Sequence, residues 1–440
     1  MDSHADGCWS DLPADVLITI LETLFDIRDL VRAGAVCQSW NASSSYVRGH
    51  NHLLSCPRTP CLLYTATTTD PNAATLYSVT DHRSYTVTLP GPHLHRRWLG
   101  ASHGWLATTD DDANLHLVNP VTGQQISDLP HVTTVEPVRR LLDHHGNVVP
   151  ASYVVYPYDW TLRVQKDVNE PMTMTARELS EYLYVRVFLS SDPSDGGDCV
   201  VALLHCPDGQ ISFARLGDTH WTWIRTPLTG NEQYVDVTFR SVTGRMMMYG
   251  VRRDCAVHEF DLDGEPALES TVVLPALDPT GWHTNYLVDA PWLADNGDCW
   301  LLVRRYMGAA NLEAYKAWLL NRSFPYDGVW NTHRINVYRV DRAAGTVAEI
   351  SDLGGQHALF LGCNGSFGLA VADCPPGILP NHIYYTDNEE QYAFYTPKCA
   401  RDIGIYDMND GNFHQVQPTS PWLDWPLPAW IIPSFGCTLK

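Results

Sequence analysis

LHLVNPVTGQQISDLP, residues 115–130, reads as a strand, a polar turn and a second strand running out at Leu-Pro. The same plan recurs in VHEFDLDGEPALESTVVLP (257–275), VYRVDRAAGTVAEISDL (337–353) and IGIYDMNDGNFHQVQP (403–418), and more weakly in LYSVTDHRSYTVTLP (76–90) and LLHCPDGQISFARL (203–216). In the four clear copies Asn119, Asp261, Asp341 and Asp407 each precede a turn carrying Gly123, Gly264, Gly345 and Gly411. Such residues do turn chemistry: the side chain caps its own backbone, and the glycine takes positive φ. Catalytic carboxylates are the sharper alternative for the three Asp.

A second echo pairs WLGASHGWLAT (98–108) with FLGCNGSFGLAV (360–371), each placed as the inner strand of a unit. Repeated four-stranded units predict a β-propeller, an architecture that leaves only short, protected sheet edges. About six blades are expected. The chain lacks the regular G-H and W-D pairs and the 50-residue period of better-marked propellers.

Two segments break the rhythm. Residues 131–180 hold Arg139, Arg140, YVVYPYDW (153–160) and the helix-like TARELSEYL; residues 304–334 hold the helix-like NLEAYKAWLL. Inserts on a rigid scaffold are where binding residues collect. Tyr156, Tyr158, Trp160, Trp318 and Trp330 are therefore candidate substrate anchors. The alternative is that these aromatics pack the inserts onto the propeller.

The first fifty residues differ. In WSDLPADVLITILETLFDIRDLVRAGAVCQSW (9–40), Val16, Leu17, Ile20, Leu21 and Leu24 form one apolar stripe at helical spacing. Pro13 suits a helix start, and Asp15 complements the dipole of the first turn. Ile27, Leu30 and Val31 begin a second short helix that Gly34 ends, and Val36, Trp40 and Val47 mark a third. Three helices in about 40 residues are marginal alone. Either another protein covers the stripe or the helices cap the main domain. GHNHLLSCPRTP (49–60) has a boundary composition. The expected division is 9–50 for the helical module, 51–60 for a linker and 61–435 for the propeller.

The string from Leu12, Pro13, Asp15, Val16, Leu17, Ile20, Leu21 and Leu24 through Asp29, Leu30, Arg32, Val36, Cys37 and Trp40 resembles the F-box. Gln38 and Asn41 depart from it, standing where the F-box often has Lys and Arg. The resemblance implies a Skp-type adaptor as partner and, through it, a cullin. Leu12, Pro13, Leu17, Ile20, Leu21, Leu30, Val36 and Trp40 would form the adaptor-binding set, some of them instead holding the helices together. ALFLGCNGSFGLAV, NHIYYTDNE, DIGIYDMNDG and PWLDWPLPAWIIPS, with SHGWLATTDDDANLHLVNPVTG earlier, resemble the uncharacterised C-terminal domain of a large family of plant F-box proteins. What this implies is a non-catalytic receptor for an unspecified target protein in a ubiquitin ligase.

Composition excludes other classes. With 29 basic and 50 acidic residues the net charge is −21, which repels phosphate backbones and anionic membranes. Arg96 and Arg97 are expected to be a solvated strand end. No signal peptide or membrane-length apolar run is present, so an intracellular protein is expected, cytoplasmic or nuclear, and the sequons at Asn41, Asn321 and Asn364 read as chance matches. Twelve scattered Cys with no C-x-x-C predict reduced thiols. No nucleophile-elbow, P-loop, H-E-x-x-H or EF-hand motif occurs, and no cofactor or metal is expected. His93 with His95 and His144 with His145 are two close His pairs, and Asp110, Asp111 and Asp112 a solvated hairpin tip. A propeller enzyme or sugar-binding protein, its Trp-rich loops stacking on a ligand, is the competing class.

Overall fold

The computed structural model describes residues 9, 12–21, 32–49, 59–66, 70, 72–91, 97–156, 171–195, 198–206, 209–224, 233–264, 270–277, 283–294, 297–309, 330–342, 344–388, 401–416 and 426–434. All six of the strand–turn–strand segments are antiparallel hairpins. The opening stretch is the pair β6 (Leu115–Val118) and β7 (Gln125–Ile126). With β4 (Gly100–Ser102) and β5 (Trp105–Thr109) it completes a sheet in the order β4-β5-β6-β7.

The other sheets repeat this meander. β11 (Tyr184–Leu189), β12 (Val200–His205), β13 (Gln210–Arg215) and β14 (Thr222–Ile224) form one. β15 (Tyr234–Val242), β16 (Arg245–Arg252), β17 (Val257–Asp261) and β18 (Thr271–Leu274) form the next. β19 (His283–Asp289), β20 (Trp300–Ala309), β21 (Trp330–Asp341) and β22 (Thr346–Ile350) follow. β23 (His357–Leu361), β24 (Phe367–Ala370), β25 (His382–Tyr385), β26 (Gly404–Asp407) and β27 (Phe413–Gln415) make a five-stranded sheet in the order β24-β23-β25-β26-β27. There β23 and β25 run parallel. The last sheet joins the first and last strands of the propeller. β28 (Ala429–Ile431) lies beside β1 (Cys61–Tyr64), with Cys61 opposite Ile431, and β2 (Ala73–Ser78) and β3 (Arg83–Thr88) follow outward.

Turn chemistry holds the hairpins as expected. Asn119 Oδ1 accepts from the amides of Val121 and Thr122, Asp261 from Asp263, Asp341 from Ala344 and Asp407 from Asn409. Gly123, Gly345 and Gly411 take positive φ; Gly264 does not. Asp261 also pairs with Arg245, and Asp407 Oδ2 lies 3.5 Å from His382 Nε2. In the echo, β4 is an inner strand as expected, but its counterpart opens with Phe360 and Leu361 on β23 and only Phe367–Ala370 is innermost.

The two inserts differ from expectation in extent. β20 runs to Ala309 and β21 starts at Trp330, so both ends of the segment 304–334 are strand. The segment NLEAYKAWLL lies outside the described residues. The 131–180 insert contains a three-stranded sheet, β8 (Val138–Leu142), β9 (Val148–Val155) and β10 (Met172–Thr175), in the order β10-β9-β8. A helix, Ala176–Leu183, follows as predicted, opened by a capping box between Thr175 and Glu178. Its Leu179 and Leu183 join Val132, Val138 and Tyr153 in one core with Trp105, Leu117 and Leu203. Tyr153 and Tyr184 donate to the carbonyls of Asp112 and Ala113 at 2.7 Å each. This insert is thus welded to two neighbouring sheets, and each fully buried Leu there is worth about 1.5–3 kcal/mol of transfer free energy.

Candidate functional site

Three regions hold the candidate residues. In the first, α1 (Ala14–Leu21) and α2 (Gln38–Gly49) flank a short helical stretch at 32–34. Leu17 and Leu21 are 0% and 1% exposed; Leu21 meets Ala33 and Val47, with Ile18 and Trp40 packed alongside. They present no surface, which is the inward role that the sequence reading left open for part of the adaptor-binding set. The physical reason is helical spacing, since positions 17 and 21 are one turn apart on the inward side. Leu12, Ile20 and Trp40 are half-buried, and the Trp40 Nε1–H donates to the Trp9 carbonyl at 2.9 Å. Pro13 is exposed, as are Val16 (40%), Val36 (61%) and Trp9 (70%). Val36 lies between the helices, not in the third one. Asn41, one of the departures from the F-box pattern, donates through Nδ2 to the Gly34 carbonyl at 3.0 Å, tying the loop to α2. Leu30 lies outside the described residues.

The second region is the set of aromatic anchors. Tyr156 follows β9, half-buried, its amide donating to the Pro137 carbonyl at 2.8 Å. Trp330 is the first residue of β21, opposite Ala309. Tyr158, Trp160 and Trp318 lie outside the described residues, so no aromatic cluster is assembled among those described.

The third region has no sequence motif and was missed. β28, β4, β11, β15, β19 and β24 are each the end strand of their sheet, and all six border one cavity of about 370 Å³. This is an axial channel. Its walls include Ser102, Phe188, Ser190, Thr238, Ser366 and Trp430. Only the WLGASHG and FLGCNGS echo hinted at it: both copies run along the channel, and the Gly365 amide donates to the Ala101 carbonyl at 2.8 Å. The echoed Gly100 and Gly362 share φ near +150°. A Cβ on Gly100 would lie 2.5 Å from the Val187 carbonyl oxygen, so only glycine fits.

A buried ion pair lies beside the channel, one hydrogen bond from its wall residue Ser366. Arg186 on β11 and Asp236 on β15 are both buried, with Nη1 and Oδ1 3.3 Å apart. Arg186 also donates to the carbonyls of Val235, Gly362 and Asn364. Asp236 Oδ2 accepts from the Leu287 amide and from Ser366 Oγ. Burial pushes the Asp236 carboxyl up, opposed by Arg186 and these donors. A second buried cluster lies nearby, where Arg305 meets Asp402 and Asn388, and Arg401 meets Asp387 at 3.6 Å.

The remaining candidates resolve plainly. Asp110 is a turn anchor: it accepts from the amides of Asp112 and Asn114 and from His116 Nε2. Burial acts to raise its pKa, but the His116 and Asn114 bonds win and hold it near 2. Arg97 is not a solvated strand end; it donates to the Glu181 carbonyl at 3.0 Å, and burial pulls it down to about 10. Arg96, His93 and His95 lie outside the described residues, as does Asn321. The His144 and His145 rings lie 3.8 Å apart at an exposed hairpin tip. Among the described residues no His, Cys, Asp and Glu cluster could hold a metal, and Cys37, Cys199, Cys255, Cys299 and Cys363 are free thiols. Asn364 is fully buried and no glycan acceptor in this fold. No helix among the described residues is long and apolar enough to cross a membrane.

Residues 9–46 match the F-box-like model, and residues 76–407 match the KIB1-4 beta-propeller model. The F-box protein SKIP23 of Arabidopsis thaliana is 22% identical over 435 residues, covering 96% of this chain and 95% of its own. An F-box/kelch-repeat protein of the same plant is 30% identical over 115 residues, which is 26% of this chain and 30% of that protein. Among solved structures, the Cps50 (Swd1) beta-propeller domain of Myceliophteria thermophila is 10% identical, with a TM-score of 0.26 over 66% of this chain and 85% of that one, too low to carry an argument. On a match over most of its length, with sheets ringing one channel, the chain belongs to the KIB1-4 beta-propeller family and carries an F-box-like module in front of the propeller.

Proposed function

We propose that this protein is the substrate-receptor subunit of a Skp–cullin–F-box ubiquitin ligase. The order of its parts carries the proposal: an F-box-like module at 9–46, then a propeller at 76–407. The division at residues 51–60 serves as a linker, leaving 9–50 to dock and 61–435 to hold the target. The Skp-type adaptor meets the exposed apolar residues of the module, Pro13, Val16 and Val36, with Leu12, Ile20 and Trp40 at their margin. Burying Val36 alone is worth about 1.5–3 kcal/mol, a tenfold or greater gain in affinity.

The receptor performs no bond chemistry. It raises the target's effective concentration beside a ubiquitin-conjugating partner. The target contacts the face where the innermost strands begin, because that face receives the 127–183 connection and the long β20–β21 connection. Tyr156 and Trp330 stand at that face, with Tyr158, Trp160 and Trp318 in the same connections.

The test is capture of a purified Skp-type adaptor by the full chain, set against Leu12→Ala/Pro13→Ala and Val36→Asp. Capture by wild type, lost in variants with unchanged circular dichroism, is expected. A folded wild-type chain that captures no adaptor would overturn the proposal.

A further inference from the structure

We propose that the seam between the β15–β18 and β19–β22 sheets binds an acidic peptide segment through its Asp or Glu carboxylates. This deepens the receptor reading and rests on it for one point, that the segment belongs to a target. Tyr306 on β20 is the centre of the patch. His283, the first residue of β19, and Arg334 on β21 stand directly opposite it on its two sides. The Arg334 guanidinium lies over the Tyr306 ring, 3.7 Å from its centroid, and the Tyr306 hydroxyl accepts from Arg304 Nη1 at 3.2 Å. A guanidinium seated on a ring keeps its edge donors for other partners. His283 Nε2 lies 3.2 Å from the carbonyl of Arg253, which follows β16, so the neighbouring sheet's turn reaches the same place. Arg253, His333 and Arg334 are exposed. His333 is the extra residue of a β-bulge, a device that re-aims side chains beside binding sites.

The charge balance sets the sign of the ligand. Asp254 matches Arg252 at 2.8 Å, but Arg253, Arg304 and Arg334 have no carboxylate partner among the described residues. Glu349, on the same sheet as Arg334, accepts from Asn336. This local excess stands in a chain whose net charge is −21. An acidic segment is thus repelled by most of the surface and attracted here. A carboxylate is planar, like the guanidinium, and meets the Arg334 fork with two parallel bonds. Arg253 and Arg334 stand on either side of the seam, so a run of carboxylates crossing it engages both.

The probes are a fluorescein-labelled tetraglutamate peptide and its glutamine and phosphoserine counterparts, titrated with the full chain and followed by fluorescence anisotropy. Saturable binding of the glutamate peptide is expected, roughly tenfold tighter than the glutamine peptide. It should weaken as salt rises from about 0.01 M to about 0.15 M. Arg334→Gln and Arg253→Gln, both at exposed positions, should each weaken it by about three- to fivefold. Arg334→Lys keeps the charge without the fork and should not restore wild-type binding. Arg245→Gln, at the opposite end of β16, should leave it unchanged. No saturable glutamate binding to the folded wild type overturns the proposal, as does equal binding of the glutamine peptide. Undiminished binding by the Arg334 and Arg253 variants overturns it too, and binding of the phosphoserine peptide alone replaces it with a phosphate site. Adaptor capture is measured on the same preparation. Capture without peptide binding defeats this proposal alone; peptide binding without capture defeats the receptor reading alone.

Discussion

Arg186 and Asp236 form an ion pair at 3.3 Å between the innermost strands of two adjacent sheets, and both side chains are buried. Removing one partner strands the other as a buried charge, at a cost of about 3–5 kcal/mol. Arg186→Met and Asp236→Leu should each lose that much in urea denaturation. The double variant should lose less than the sum, because no unpaired charge remains. Additive losses would mean that the two side chains act separately.

The docking helices separate surface from core. Val36→Asp should leave stability within about 0.5 kcal/mol of wild type, since the side chain is exposed. Leu17→Ala should cost about 2–5 kcal/mol of local stability, since the side chain is sealed. Hydrogen exchange at the amides of 14–21 measures the second. Equal protection in both variants would contradict the burial pattern.

Asp110 gives a pH dependence with a definite sign. Its folded pKa, about 2, lies below the ordinary 3.8. Its contribution is therefore complete above pH 3.8 and is lost as pH falls towards 2. Asp110→Asn should flatten the stability profile in that window. A variant profile parallel to wild type would remove Asp110 as an anchor.

Gly100 should tolerate no side chain. Its φ of +146° and the nearby Val187 carbonyl predict a loss of at least about 1–3 kcal/mol for Gly100→Ala. Gly123→Ala, at a turn with open space around the Cβ position, should cost less. Thermal unfolding of the two variants side by side tests the difference.

The hairpins were legible because their signals are local. Asn119 caps its own turn, and period-two alternation needs only neighbouring residues. The inner ends of the sheets were not, because they are long-range facts. Arg186 meets Gly362 and Asn364 across more than 170 positions, and Ser434 meets Asp192 across 242. No window of sequence contains both partners. The module's stripe was legible as apolar, yet sorting Leu17 from Val36 required the third helix to be in place. The five-stranded sheet went unread because its β23 and β25 run parallel, which no hairpin signal announces.

Because β28 pairs with β1, the first strand of the propeller waits for Ala429–Ile431. During synthesis, the edge of Cys61–Tyr64 stays open while some 365 later residues emerge. Ribosomes halted anywhere before Ala429 would release a chain whose first sheet has an uncovered apolar edge, a template for aggregation. A premature stop late in the message should thus be as damaging as an early one, and the cell's quality control would meet this protein first at that seam.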